Sequence, residues 1–319
     1  MGRVTIIGLG LIGGSWGMAL RQAKVGLEVV GHDKEPEVAG AARKKGAVDR
    51  TEWNLPAAVD QADVVVVATP VGAMRELFGQ IAEHLKDGCV VTDTGSAKRQ
   101  VLAWAEEILP PHVAFVGGDP MAGKEGFGTE AAEATLFAGR RYCLTPSANA
   151  SPQAIDLVCR LVNAIGAEPY FLDAAEHDGL VAAVNHLPFL ASTALVRATT
   201  SSASWREMSR MAHAEFREVS RLASGDPAAH ASLCETNRDN VLRWLDAYVA
   251  ELTRLKGLVE AGGDPLRAVF DEAKTARDKW EMRPDEEVGA KADIPSAREQ
   301  IGQTFFGSGK LFRMGREKK

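Results

Sequence analysis

Gly8-Leu9-Gly10-Leu11-Ile12-Gly13 places three glycines in the spacing G-x-G-x-x-G, and Asp33 stands 20 residues after the third. Such a run can cradle a pyrophosphate. The first glycine permits a tight turn, the second lets the anion approach the backbone, and the third lets a helix pack closely on a strand. An acid at Asp33 can accept hydrogen bonds from ribose hydroxyls and would repel a 2′-phosphate, which favours NAD over NADP. Thr69-Pro70 ends another apolar run, where it either flanks a nicotinamide ribose or makes a plain turn. Three further polar stretches carry chemistry-bearing side chains: Asp93-Thr94-Gly95-Ser96-Ala97-Lys98, Gly117-Gly118-Asp119-Pro120-Met121-Ala122-Gly123-Lys124-Glu125, and Asn185-His186-Leu187-Pro188.

The elements that would position these residues follow from periodicity. Short apolar runs at Val4 to Ile7, Leu27 to Gly31, Val64 to Ala68, Cys89 to Thr92 and Ala114 to Val116 read as buried parallel strands. Helical patterns lie between them, at about Gly13 to Lys24, Val38 to Lys45, Gly72 to Leu85 and Val101 to Ile108. This alternation predicts an α/β Rossmann domain with a doubly wound, mainly parallel sheet. Ser151 to Gly166 adds a helix and Glu168 to Leu172 an edge strand. From Ala174 onward the apolar spacing is helical, over Leu180 to Ala198, Trp205 to Ala223, Pro227 to Leu258 and Pro265 to Trp280. The expected organisation is a nucleotide-binding domain over 1–173, an all-α dimerisation domain over 174–282, and a loosely ordered tail over 283–319 that packs Phe305-Phe306 on a neighbour.

Composition bounds the function. The chain has 319 residues, 45% of them hydrophobic, with a net charge of -6, which argues against a general nucleic-acid binder. Cys89, Cys143, Cys159 and Cys234 are scattered, with no Cys/His cluster; they read as reduced thiols in a cytoplasmic protein, with neither a disulfide framework nor a metal site. No signal segment is evident, and no apolar run reaches the roughly 18 residues of a membrane span.

With the glycine loop, the three polar stretches, Ser220-Arg221-Leu222-Ala223-Ser224-Gly225-Asp226-Pro227 and Asn237-Arg238, the chain resembles the prephenate and arogenate dehydrogenase family of tyrosine biosynthesis, from Val4 to about Trp280. The resemblance implies NAD as cofactor and a small cyclohexadienyl substrate, oxidised at C4 with loss of its C1 carboxylate as carbon dioxide. Such chemistry needs an acceptor for the C4 hydroxyl proton and a cation for the ring carboxylate. By resemblance, Ser96 hydrogen-bonds near the C4 hydroxyl and Arg221 grips the ring carboxylate. Glu125 approaches the substrate side chain, His186 contributes to the site, and His177 lies close to the cofactor. From the residues alone, Ser96 also suits the N-cap of a helix starting at Lys98, Glu125 could cap the next turn, and His186 could be a packed residue.

The chain departs from the family at three positions. Asp119 stands where the family carries its catalytic His, Phe189 where a second His is common, and His230 where a Trp is common. A carboxylate has a reference pKa near 3.9 against about 6.5 for His, so Asp119 is the weaker base unless burial raises it. It would also suit a substrate with an amine at C4, such as 4-amino-4-deoxyprephenate. The replacement could instead mark an NAD-binding pseudoenzyme, or an engineered loss of activity. The first expectation is an NAD-dependent, monofunctional prephenate or arogenate dehydrogenase, homodimeric through its helical domain, binding neither nucleic acid nor membrane.

Overall fold

The computed structural model describes residues 2–282. The tail expected over 283–319, with Phe305-Phe306, lies outside the described residues. The chain begins β1 (Arg3–Ile7), α1 (Leu11–Ala23), β2 (Glu28–His32), α2 (Pro36–Lys44), β3 (Arg50–Thr51), α3 (Leu55–Val59), β4 (Val64–Val67), α4 (Val71–Ile81), β5 (Val90–Asp93), α5 (Arg99–Ile108) and β6 (Ala114–Pro120). It continues through β7 (Arg141–Pro146), α6 (Pro152–Ala164), β8 (Glu168–Phe171), α7 (Ala174–Val181), α8 (Leu187–Thr200), α9 (Trp205–Met211), α10 (Ala214–Ser220), α11 (Pro227–Thr236), α12 (Arg238–Ala261) and α13 (Asp264–Glu281).

The strands form one sheet in the order β3-β2-β1-β4-β5-β6-β7-β8, and all neighbours are parallel except β6 and β7. The first six have the order of a doubly wound nucleotide-binding sheet, which reverses direction between β1 and β4. Strands such as Val64–Val67 are fully buried because helices cover both faces. One core joins Val4, Ile6 and Val66 to α1 and α6; the other joins Ile7, Val65 and Val67 to α4 and α5. β7 carries no long apolar run, so the sequence reading passed over it; it is held by antiparallel pairing of Gly118 with Leu144 and Asp119 with Cys143.

The described residues form two compact units. The first comprises 2–181 and Ser224–Asn237; the second comprises Ala182–Ala223 and 238–282. The first therefore takes in α7 and α11, which the sequence reading placed in the helical half. Polar bonds explain the first inclusion, since α7 is tied to β6 and α5 through His177 and Asp178. Packing explains the second, since α11 lies on α4, where the Gly72 backbone leaves room for Ser232.

In the second unit α8 packs with α10 and α12, and α12 with α13. The long helices read from periodicity are broken. Trp205 to Ala223 is α9 and α10 followed by a 3-10 turn over Arg221–Ser224, and Pro227 to Leu258 is interrupted at Asn237. A π-helical turn, Ala182–His186, joins α7 to α8. The combined stretch Ala174–Thr200 has 27 residues and an apolar window of mean hydropathy 1.5, so one helical stretch does reach membrane-span length, contrary to the sequence expectation. It gets there because Ala, Val and Leu surround the few polar residues of α7 and α8. All four cysteines are free thiols. Burial pushes Cys89 and Cys143 up to about 12.

Candidate active site

The glycine loop leaves the carboxyl end of β1. Gly8 has φ +88°, and a Cβ there would lie 2.6 Å from the Ala68 carbonyl oxygen at the end of β4. A Cβ on Gly13 would lie 1.9 Å from the Gly8 oxygen, so helix and loop close to a distance only glycine allows. Helix α1 consequently starts at Leu11, two residues before the sequence reading put it. Gly10 behaves differently: a Cβ there would meet nothing within 4 Å, and no side chain caps the helix. Open space thus lies beside the first N–H groups and positive end of α1, which is what a bound pyrophosphate needs.

Asp33 lies just past β2. Its Oδ2 accepts the Leu9 N–H at 2.8 Å and its Oδ1 the Glu35 N–H at 3.0 Å. The acid therefore tethers the glycine loop, and its remaining lone pairs suit ribose hydroxyls. Pro70 forms the N-cap position of α4, and the Thr69 hydroxyl oxygen beside it is buried without a hydrogen-bond partner. Together these features fit a dinucleotide.

The second cluster gathers at the carboxyl ends of β5 and β6. Asp119 is 2% exposed. Its Oδ1 accepts from the Ser96 hydroxyl at 3.2 Å, and its Oδ2 lies 3.1 Å from Nε2 of His177. The His177 Nδ1 is 3.0 Å from Oδ1 of Asp178. Burial pushes the Asp119 carboxyl above its usual range, although its hydrogen bond to His177 and the charge on that ring pull the other way. Burial lowers the His177 pKa, but hydrogen bonds to Asp119 and Asp178 outweigh it, and the net direction is upward.

A framework beneath the cluster holds β6 in place. The buried Lys98 ammonium pairs with Asp93 Oδ2 and donates to the Gly118 carbonyl at 2.6 Å. Asp93 Oδ1 accepts the Gly118 N–H at 3.1 Å, and its Oδ2 the Gly95 N–H at 2.9 Å. A Cβ on Gly118 would lie 2.6 Å from the Asp93 oxygen and 2.7 Å from the Tyr142 ring. The glycine before Asp119 thus lets β6 close onto β5.

Ser96 does not cap α5. Lys98 occupies the cap position, and the backbone N–H groups of Lys98 and Arg99 donate to Asp178 at 2.6 and 3.0 Å. The Ser96 hydroxyl points to Asp119 instead, because the longer-range acid already serves the helix end. Glu125 is exposed in the loop after β6, and the next turn has Gly128 at its cap position with no side-chain cap. The structure therefore brings Ser96, Asp119 and His177 together and leaves Glu125 in the surface loop.

His186 and Arg221 belong to the second unit. His186 is buried at the end of the π-turn, its ring 5.9 Å from that of Phe189. Arg221 is exposed at the end of α10. His230, in the first unit, packs against Gly225, where a Cβ would come within 2.4 Å of its ring. Sequence reasoning missed Asp178, Lys98 and Asp93. The Glu176-His177-Asp178 triplet and the two ends of the Asp93-to-Lys98 stretch were the available signals, but only folding shows that one acid reaches the start of α5 and that the other pair is buried.

Comparison with known proteins identifies the family. Residues 16–171 match the prephenate dehydrogenase nucleotide-binding domain and 173–272 the prephenate dehydrogenase dimerization domain. Prephenate dehydrogenase of Bacillus subtilis is 32% identical over 289 residues, covering 90% of this chain and 77% of that protein. Cyclohexadienyl dehydrogenase of Zymomonas mobilis is 31% identical over 277 residues, covering 86% and 94%. A crystal structure of prephenate dehydrogenase from A. aeolicus, in complex with hydroxyphenyl propionate and NAD+, superposes with a TM-score of 0.81 at 27% identity, covering 88% of this chain and 98% of that one. Two family domains in succession, together with a glycine loop at the β1–β4 reversal and a polar cluster at the ends of β5 and β6, settle the assignment: this chain belongs to the prephenate dehydrogenase family.

Proposed function

We propose that the protein is an NAD-dependent dehydrogenase that oxidatively decarboxylates prephenate, or its amino-acid counterpart arogenate, with Asp119 as the proton acceptor at C4. The observation that carries this reading is the buried Ser96–Asp119–His177 cluster at the carboxyl ends of β5 and β6, where by resemblance Asp119 takes the place of the family's catalytic histidine. Gly8, Gly10 and Gly13 shape the loop, the first N–H groups of α1 at Leu11 and Ile12 hold the pyrophosphate, Asp33 holds the adenosine ribose, and Thr69 and Pro70 flank the nicotinamide ribose. Bound NAD supplies the hydride acceptor for C4.

The protein's own contribution at C4 is proton handling. The hydroxyl proton passes to Asp119 Oδ1, steadied by Ser96, as the C4–O bond becomes a carbonyl. When the C1–carboxylate bond breaks, its electron pair enters the ring and carbon dioxide leaves. The C4 oxygen then takes the proton back from Asp119 as the ring becomes a phenol. The proton is borrowed and returned, so a buried acid with little solvent access can serve through the whole cycle. Burial raises the basicity of Asp119 above that of an ordinary carboxylate, in the direction the task requires.

The motif match, rather than any distance, supports Arg221 as the cation for the ring carboxylate, His186 as a substrate-site residue and Glu125 as the group nearest the substrate side chain. The second unit matches a dimerization domain and exposes Leu242, Val249, Leu252, Val259 and Phe270 on α12 and α13, which supports a homodimer. Sedimentation at twice the chain mass is the expected result; a monomer at micromolar concentration would contradict it.

The test of function is NADH formation with prephenate, arogenate and 4-amino-4-deoxyprephenate in parallel. Turnover of either hydroxyl substrate is expected. A much higher kcat/KM with the amine would reassign Asp119 to recognition of an ammonium group, and NAD binding with no turnover of any of the three would make the protein a binding module.

A further inference from the structure

Both ring nitrogens of His177 face carboxylates, Asp119 on one side and Asp178 on the other, and the ring is 0% exposed. A neutral imidazole donates from only one nitrogen, so its other lone pair would face either an anionic oxygen or a proton retained on the buried Asp119. Only the doubly protonated ring donates both ways. Asp178 is held against turning aside. Its two oxygens accept the Lys98 and Arg99 N–H groups at the positive end of α5, and its backbone carbonyl accepts from Asn237 Nδ2 at 2.8 Å. The charged groups around the ring are Asp119 from β6, Asp178 from α7 itself, Lys98 before α5 and Asp93 from β5. Lys98 and Asp93 offset one another as a buried pair, which leaves two carboxylates around one imidazolium.

Resting on the reading of Asp119 as the acceptor, we propose that His177, protonated on both nitrogens and fixed by Asp178, is the positioning residue that keeps Asp119 an ionised carboxylate. The imidazolium occupies Oδ2, so Oδ1 beside Ser96 is the oxygen that takes the substrate proton. A carboxylate this deeply buried would otherwise tend to hold a proton of its own and be useless as an acceptor. Where a family member carries imidazole as its base, this chain carries a carboxylate with an imidazolium behind it.

The active form therefore exists between two protonation events. On the acid side Asp119 takes a proton and can no longer accept one. On the alkaline side His177 loses its proton, its lone pair faces Asp119, and the pocket gains negative charge against an anionic substrate. Both limbs are displaced upward from the ordinary carboxylate and imidazole values, in line with the directions at the two groups.

The deciding experiment measures kcat/KM against pH for the full-length enzyme and for His177→Gln, whose amide N–H can still donate to Asp119 but does not titrate. The alkaline limb should disappear, and the acid limb should rise by about 1–3 units as the neighbouring positive charge is lost. Limbs that stay in place would overturn the proposal, because a purely structural role would lower the melting temperature without moving either. Asp178→Asn provides a second route if His177→Gln folds poorly: the alkaline limb should move to lower pH, and an unmoved limb counts against the proposal. Independently of turnover, nitrogen NMR of histidine-labelled protein without cofactor should show one ring doubly protonated above about pH 7, where an ordinary imidazole is mostly neutral. A His177 ring that is singly protonated there would also overturn it. The two readings separate cleanly. If Asp119→Asn is inactive while His177→Gln keeps both limbs, only the positioning role fails; if Asp119→Asn is fully active, the acceptor role itself fails.

Discussion

At the scale of single residues, Asp33 has two duties. Its Oδ2 holds the Leu9 N–H, and its proposed second task is to accept from the adenosine ribose. Asp33→Ser should therefore narrow the preference for NAD over NADP while raising KM for both cofactors, because the loop loses a tether. Equal kcat/KM for NAD and NADP in the unmodified protein would contradict the assignment. Arg221 is proposed for the ring carboxylate on its motif alone. Truncating one partner of a desolvated charge pair costs about 2–5 kcal/mol, so Arg221→Ala should lose roughly 30- to several-thousand-fold in kcat/KM for substrate with NAD affinity unchanged. An Arg221→Ala enzyme with unaltered kcat/KM would show that this side chain does not hold the substrate. The place of individual residues was legible where spacing alone fixes it, as with the Gly8-to-Gly13 loop after β1 and Asp33 just past β2. Asp178 was not legible, because its task is to reach the backbone N–H groups of Lys98 and Arg99, some 80 residues away, and no local pattern encodes that reach.

At the scale of elements, the acid at 119 is placed by the packing of β6 on β5. Gly118 makes this possible, and the Lys98–Asp93 pair fastens the strand from below. Gly118→Ala should force β6 away from Asp93 and Tyr142, costing about 1–3 kcal/mol of stability, as overpacking does. It should also lower kcat more than it changes NAD affinity, since the glycine loop is on a different strand. A stable Gly118→Ala enzyme with normal kcat would show that the backbone approach does not set the position of Asp119. Periodicity revealed the central parallel strands because both their faces are apolar, and passed over the two-residue β3. It missed β7, which is specified by antiparallel pairing with β6, and it ran α9 into α10 and α11 into α12, because a helical stripe survives a break of one or two residues.

At the scale of the whole molecule, the first of the two units holds the glycine loop, Asp119 as the proposed proton acceptor, and the side chains that contact it. The family and its cofactor could be read from motifs taken in order. The consequence of replacing histidine by Asp119 could not, because it depends on what the fold sets behind that position: a buried ring between two acids. Whether Asp119 accepts the C4 proton is tested by the single-turnover rate of NADH formation from prephenate for Asp119→Asn beside the unmodified enzyme, with NAD affinity measured on both. Asn keeps the size and a hydrogen-bonding oxygen but cannot take up the C4 proton. The expected result is unchanged NAD affinity and a rate lowered by about 10²–10⁴-fold, the range of general-base catalysis. A rate within about twofold of the unmodified enzyme, a difference of less than roughly 0.5 kcal/mol in the barrier, would show that the carboxylate is not the proton acceptor.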